Sequence, residues 1–132
     1  QSWNRPVLIL TNDIANRYSQ TFTVIPLTSK MKKLDLPTHI VLTEAHCEML
    51  RAERLEDSIL LVEQITTIDQ SALFGRLCRV ISAEKKQEIE QAVARQFDMH
   101  STKKNKQNTD ENAARGSNAN YGSNSVHSRK EV

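Results

Sequence analysis

The stretch Arg5-Pro6-Val7-Leu8-Ile9-Leu10-Thr11-Asn12-Asp13 decides the fold of this chain. Four consecutive apolar residues at positions 7–10 predict a buried strand, and the Asn12-Asp13 pair that follows predicts a turn. Pro6 fixes its own φ angle and favours an extended conformation at the residue before it. We therefore expect Arg5 at the entrance of a rigid strand, where its guanidinium is held in place rather than merely solvated.

The rest of the first hundred residues predicts further short strands and one good helix. Strands are expected at 21–27, 38–43 and 58–65, with a fifth, edge strand at 76–81. Asp69 is a candidate N-cap for a short helix at 70–74, and Ser82 for a longer one reaching about Met99, whose apolar stripe is Ile89, Val93 and Phe97. The fold class is therefore mainly β with α (α+β), a strongly bent antiparallel sheet or partial barrel with a C-terminal helix.

The composition changes near His100. Residues 101–132 are rich in Asn, Ser and basic side chains and contain no Leu, Ile, Phe or Met. Such a segment buries too little apolar surface to offset its chain entropy, so we expect a domain at 1–100 and a disordered tail at 101–132. The tail carries a charge of +3, which leaves −1 for residues 1–100 of the total +2, so any nucleic-acid site in the domain must be a local patch.

The cysteines, the glycines and the hydropathy of the chain exclude several classes of protein. Cys47 and Cys78 form no CxxC pattern, so neither a metal site nor a cofactor is expected. The only glycine in the first hundred residues is Gly75, which excludes glycine-rich phosphate loops there. No stretch approaches the length of a membrane span and no signal segment is evident, so we expect no membrane association and a cytoplasmic protein.

Four motifs in order carry a resemblance to a known family. They are Arg5-Pro6 with its apolar run, Thr23-Val24-Ile25-Pro26-Leu27-Thr28-Ser29, Leu36-Pro37-Thr38-His39-Ile40 and Glu63-Gln64-Ile65-Thr66-Thr67-Ile68-Asp69. In this arrangement the chain resembles the MazF/PemK family of toxin endoribonucleases, from Arg5 to about Leu73 and more loosely to about Phe97. The fold that the resemblance implies is an SH3-like, CcdB-type barrel with helices attached.

The sequence departs from the family pattern in two places. Members usually begin with a strand that contains a Gly-Asp-aliphatic pattern, and no such strand is expected in this sequence. A barrel that lacks this strand would have an unpaired edge. The segment at 44–56 is also longer and more charged than expected.

The resemblance implies that Arg5 and Thr28 are the catalytic pair. Cleavage of RNA without a metal requires removal of the 2′-hydroxyl proton, stabilisation of charge on the phosphate and protonation of the departing 5′-oxygen. A guanidinium can clamp a phosphate through two hydrogen bonds, and a threonine hydroxyl can contact the same phosphate. Considered without the resemblance, Arg5 is more simply an exposed cation at a strand start and Thr28 a turn hydroxyl.

Six further residues are candidates for RNA binding: Ser29, Lys30, Lys32, Lys33, His39 and Gln64. The lysines and Ser29 suit phosphates, and an amide such as that of Gln64 can read a base edge. The alternative for His39 is a satisfied structural histidine, and for Gln64 a strand-ending hydrogen bond to backbone. Trp3 could stack on an unpaired base or plug the core.

The partners that the resemblance implies are a single-stranded RNA substrate, a second copy of the chain in a homodimer, and a cognate antitoxin that folds over the groove. DNA association would then occur through the antitoxin. Two alternatives stay open. One is a CcdB-like toxin that binds a topoisomerase without cleaving RNA; the other is a truncated, inactive relative that only binds antitoxin.

Overall fold

The computed structural model describes residues 4–12, 17–31, 35–99 and 123–130. Its strands are β1 (Asn4–Ile9), β2 (Thr21–Thr28), β3 (His39–Leu42), β4 (Cys47–Met49), β5 (Ser58–Leu61), β6 (Thr66–Asp69), β7 (Leu73–Val80) and β8 (Ser125–Lys130). One α-helix, α1 (Ala83–Gln96), follows β7, and short 3-10 helices lie at Glu44–His46, Val62–Gln64 and Gln70–Ala72. Among the described residues, none of the helices combines the length and the apolar character that a membrane span needs.

The strands form one curled antiparallel sheet in the order β3-β5-β2-β1-β8-β7-β4, with β6 paired to β2. The long strand β2 pairs with β6 at its start, with β1 in its middle and with β5 at its end. One strand thus changes partners along its length, which bends the sheet into a half-barrel. The mainly β architecture with a C-terminal helix that the sequence predicts is confirmed.

The curled sheet encloses two apolar clusters on its two faces. The larger includes Leu8, Ile25, Leu60 and Ile89, so it also receives the buried side of α1. The smaller contains alternate residues of β1 and β2, among them Val7, Ile9 and Val24. Both clusters therefore hold strand β1 through its residues 7–9, and β8 pairs with it as far as Arg5 and Asn4.

Helix α1 begins and packs largely as expected. The Ser82 hydroxyl accepts the backbone N–H of Lys85 at 3.2 Å, which confirms the predicted N-cap. Ile89 is buried as predicted, but Phe97 is 54% exposed. Lys85 is buried although it is charged. Its Nζ reaches Glu88 at 3.1 Å, so its carbon chain covers apolar surface while the charge stays paired.

The expectation of a disordered tail is wrong for its last part. Residues 125–130 form β8, which pairs with β1 on one side and β7 on the other. Val126 of this strand is fully buried in the larger apolar cluster. Two backbone ladders and one apolar anchor therefore stabilise a strand whose side chains are otherwise polar. The domain thus extends beyond residue 100, and residues 100–122 lie outside the described part.

Strand β8 also overturns two predictions about sheet edges. β1 has a hydrogen-bonded neighbour on both sides, so the unpaired edge expected from a missing first strand is not found beside it. The predicted edge strand at 76–81 is β7, which starts earlier and lies inside the sheet between β8 and β4. The short strands β4 and β6 were not predicted, because charged or threonine-rich segments of this length carry little apolar pattern.

Candidate active site

A cavity opens where β1 and β2 separate. The two strands pair from Ile9↔Val24 to Val7↔Pro26, and the ladder ends at Pro26, which has no N–H to donate. Beyond that point β1 continues beside β8, whereas β2 continues beside β5. The cavity, about 550 Å³, is lined by Arg5, Pro6, Leu27, Thr28, Ser29, Lys30, Glu53, Arg54, Leu55, Glu56, Ser58, Leu77 and Ser128.

Arg5 and Thr28 lie on opposite sides of this opening. Continuing the register of the β1–β2 pair beyond Val7↔Pro26 places Arg5 opposite Thr28. Both residues line the cavity, and Arg5 is exposed. The Thr28 hydroxyl accepts the backbone N–H of Lys30 at 3.2 Å, so the threonine side chain and the start of the following loop hold each other.

The wall opposite these strands is the segment at 50–57 between β4 and β5. Its start is fixed by a hydrogen bond from the Leu50 N–H to the Leu77 carbonyl at 2.9 Å. The guanidinium of Arg51 lies over Gly75 of β7, where an added Cβ would collide with it. Leu55 is buried, so the wall is packed against the body of the protein at both ends.

An ion pair at Glu44 supports the middle of this wall. The Glu44 carboxylate accepts from Arg54 Nη2 at 2.6 Å and Nε at 2.9 Å, and from the Leu55 N–H at 2.8 Å. The Arg54 guanidinium, followed by the Leu55 backbone, lowers the pKa of Glu44 below its ordinary value. The same contacts that favour the ionised carboxylate therefore hold the wall segment.

The cavity carries charges of both signs. Arg5, Lys30 and Arg54 contribute cations, whereas Glu53 and Glu56 contribute carboxylates from the wall. A forked guanidinium, a lysine and several hydroxyls can bind a phosphodiester, and the carboxylates can accept protons or hydrogen bonds. This combination suits phosphoryl chemistry on a polyanionic substrate.

The structure brings together only some of the predicted site residues. Ser29 and Lys30 line the cavity with Arg5 and Thr28. Lys32 and Lys33 lie outside the described residues, as does Trp3. His39 and Gln64 are described but do not line the cavity.

His39 belongs to a separate polar cluster at the far end of β5. Its Nε2 contacts Glu63 Oε1 at 2.8 Å, and the Thr38 hydroxyl donates to Glu63 Oε2 at 2.9 Å. Burial alone would raise the pKa of Glu63, but the hydrogen bonds from His39 and Thr38 outweigh it and lower the pKa. This contact fits the alternative that His39 is a structural histidine. Gln64, the residue after Glu63, is exposed.

Five polar or charged residues that line the cavity were not predicted as site residues: Glu53, Arg54, Glu56, Ser58 and Ser128. The unusual length and charge of the 44–56 segment were a signal for the first three. Ser128 lies on β8, paired with Pro6, and nothing in its polar surroundings indicated a strand.

The two cysteines are neighbours in the core rather than parts of this site. Cys47 and Cys78 are free and buried on the paired strands β4 and β7. A hydrogen bond between their thiols lowers the pKa of Cys47 and raises that of Cys78, whose burial adds to the rise. Neither lines the cavity.

Comparison with known proteins gives a consistent set of relatives. The family described as PemK-like, MazF-like toxin of type II toxin-antitoxin system matches residues 1–97. Endoribonuclease MazF of Staphylococcus saprophyticus is 31% identical over 102 residues, which cover 77% of this chain and 80% of that protein. Endoribonuclease EndoA of Bacillus subtilis is 42% identical over 73 residues, or 55% of this chain and 59% of that protein.

A solved structure agrees with these sequence matches. The Mycobacterium tuberculosis toxin MazF-mt6 superposes with a TM-score of 0.58 at 25% identity, covering 74% of this chain and 89% of that one. The matched sequence contains the strands that carry Arg5 and Thr28 and the wall of the cavity between them. The chain therefore belongs to the PemK-like, MazF-like family of type II toxin-antitoxin toxins.

Proposed function

We propose that this protein is a toxin endoribonuclease that cleaves single-stranded RNA at selected sequences without a metal ion. The observation that carries the proposal is that Arg5 and Thr28 line one cavity within a fold of this family. Two relatives that match the chain are named endoribonucleases. The proposal places the protein in the cytoplasm, where such a substrate is present.

In the proposed reaction Arg5 and Thr28 act on the same phosphodiester. The Arg5 guanidinium donates two hydrogen bonds to nonbridging oxygens, whose negative charge grows in the transition state. The Thr28 hydroxyl positions that phosphate, while Lys30 and Ser29 hold its neighbours. Attack by the 2′-hydroxyl then produces a 2′,3′-cyclic phosphate and a free 5′-hydroxyl.

A splayed, single-stranded substrate fits this cavity better than a duplex. In-line attack requires the 2′-oxygen, the phosphorus and the leaving oxygen to align, which the regular A-form backbone prevents. The cavity, about 550 Å³, has room for roughly one nucleotide with its phosphate. Contacts beyond it, for which Gln64 stays a candidate, would provide the sequence preference.

The proposed partners follow from the family. As the toxin of a type II system, the protein would be inhibited by a cognate antitoxin whose flexible segment folds over the cavity. We also propose that it acts as a homodimer, and that any DNA association occurs through the antitoxin.

The decisive experiment incubates the purified protein with a mixture of synthetic single-stranded RNAs in EDTA and maps the ends of the fragments. We expect cleavage at a short recurring sequence, with cyclic phosphate and 5′-hydroxyl ends. Arg5→Ala should reduce cleavage by about 10²- to 10³-fold, as the loss of one transition-state donor does. If the protein inhibits growth but leaves RNA intact, a toxin that binds a topoisomerase is favoured instead. If cleavage is lost in EDTA, the proposed metal independence is wrong.

A further inference from the structure

The proposed reaction requires a proton acceptor for the 2′-hydroxyl, and the cavity offers few. Arg5, Lys30 and Arg54 are cations, and Thr28, Ser29, Ser58 and Ser128 are hydroxyls, none of which is a good base at neutral pH. Among the residues that the structure describes, no histidine lines the cavity. The remaining candidates are two carboxylates, those of Glu53 and Glu56.

We infer that Glu56 is the general base that accepts the 2′-hydroxyl proton. This inference rests on the proposed endoribonuclease function and adds a catalytic residue to it. Glu53 is the weaker candidate because its Oε1 lies 3.6 Å from Arg51 Nη1, so this carboxylate already has a cation as its partner. Glu56 lines the cavity and is exposed, and its carboxylate makes no ion pair within the described part of the chain.

The backbone around Glu56 is held from both sides. The hydroxyl of Ser58, which is only 3% exposed, donates to the Glu56 carbonyl at 2.7 Å. On the other side the N–H of the buried Leu55 donates to Glu44 at 2.8 Å. Glu56 therefore projects from a fixed point of the wall, which a proton acceptor in a preorganised site requires.

The strand register brings this fixed point to the Thr28 side of the cavity. Ile59 of β5 is paired with Thr28 of β2, and continuing that register places Ser58 opposite Ser29. Glu56 lies two residues before Ser58, in the segment that leads into β5. Glu56 therefore lines the cavity from the β5 side of Thr28, whereas Arg5 lines it from β1.

In the proposed cleavage step, each proton that is transferred goes to Glu56 or is exchanged with solvent. The 2′-hydroxyl proton passes to the Glu56 carboxylate as the 2′-oxygen forms its bond to phosphorus. The bond from phosphorus to the 5′-oxygen then breaks, and that oxygen takes a proton from water. The Glu56 carboxylic acid finally returns its proton to solvent, so the enzyme is regenerated.

The test compares Glu56→Gln with a matched control, Asp57→Asn. Asp57 is the next residue, is also exposed and does not line the cavity, so the control removes the same charge beside the site. Single-turnover cleavage of the preferred oligonucleotide and binding of the same oligonucleotide with a 2′-deoxy residue at the cleavage position are both measured. We expect Glu56→Gln to slow cleavage by about 10²- to 10⁴-fold, the usual contribution of a general base.

In the same experiment, binding of the 2′-deoxy oligonucleotide should be unchanged or tighter, because one repulsive charge has been removed. Asp57→Asn should cleave like wild type, and Glu56→Asp, which keeps a carboxylate, should cleave faster than Glu56→Gln. Wild-type cleavage by Glu56→Gln, or a loss of binding that accounts for all of its defect, would overturn the assignment. If Arg5→Ala is inactive in that case, the nuclease stands and only the base is wrong; an inactive wild type removes both proposals.

Discussion

Arg5 on β1 and Thr28 on β2 face each other across one cavity, two residues beyond the last paired position of their strands. The separation of the strands follows from Pro26, which ends the ladder, and from β5 and β8, which take over as neighbours. The cavity is therefore built from the main sheet itself. The backbone of Arg5 is held by β8 and that of Thr28 by β5, which gives the two residues the fixed supports that electrostatic catalysis requires.

The first prediction concerns the shape of the cation at position 5. Arg5→Lys keeps the positive charge but loses the planar fork that binds two oxygens at once. We expect slower cleavage than wild type, with a loss smaller than the roughly 10²- to 10³-fold expected for Arg5→Ala. The matched control is Arg79→Lys on β7, whose side chain pairs with Glu48 at 3.0 Å away from the cavity. Equal rates for Arg5→Lys and wild type would show that charge alone is sufficient.

The second prediction concerns β8. Ending the chain before Ser123 would leave β1 and β7 with unpaired edges and remove the buried Val126. We expect the truncated protein to lose at least about 3 kcal/mol of stability, or to melt roughly 10–20 °C lower. Val126→Ala should fall between the truncated and full chains. Thermal unfolding by circular dichroism measures all three, and an unchanged melting temperature after truncation would mean that β8 adds nothing to the sheet.

The third prediction concerns pH and the ion pair that holds the cavity wall. Hydrogen bonds from Arg54 and Leu55 lower the pKa of Glu44 in the folded protein from its ordinary value of 4.5. A lowered folded-state pKa stabilises the protein above the unfolded-state pKa, and this stabilisation is lost as the pH falls through the folded value. Glu44→Gln should therefore be less stable than wild type at pH 7, with the difference closing in acid. Denaturant unfolding across pH 2–7 tests this, and a difference that grows in acid would contradict it.

The main elements could be predicted because their side chains carry strong patterns. The apolar run of β1, the β-branched run of β2 and the capped helix α1 all appear near the expected positions. The motifs predict that Arg5 and Thr28 belong to one site, and both residues line the same cavity. Their catalytic role stays a prediction.

Strand β8 could not be predicted because its own side chains contribute little to its stability. The sequence Ser-Val-His-Ser-Arg-Lys contains one apolar residue, so a composition argument assigns it to a tail. Its stability comes from backbone ladders to β1 and β7, which are long-range partners that a local pattern does not reveal. Ser128 was missed with it for the same reason.

The wall of the cavity was hidden for a different reason. Arg54 and Glu56 look like solvated charges in a polar loop, which is the commonest role of such residues. Their position depends on Glu44, ten residues before Arg54, and on Leu77 and Gly75 of β7. Only the folded sheet brings these anchors together. The sequence therefore shows that the segment at 44–56 is unusual, but not that it forms a wall of the cavity.

The central claim, that Arg5 and Thr28 act on one phosphodiester, is tested most directly by a double-mutant cycle. Single-turnover cleavage of one oligonucleotide is measured for wild type, Arg5→Ala, Thr28→Ala and the double variant. Residues that act as a unit are strongly non-additive, so we predict that the double variant is little slower than Arg5→Ala alone. Fully additive losses, or wild-type rates in both single variants, would contradict the account.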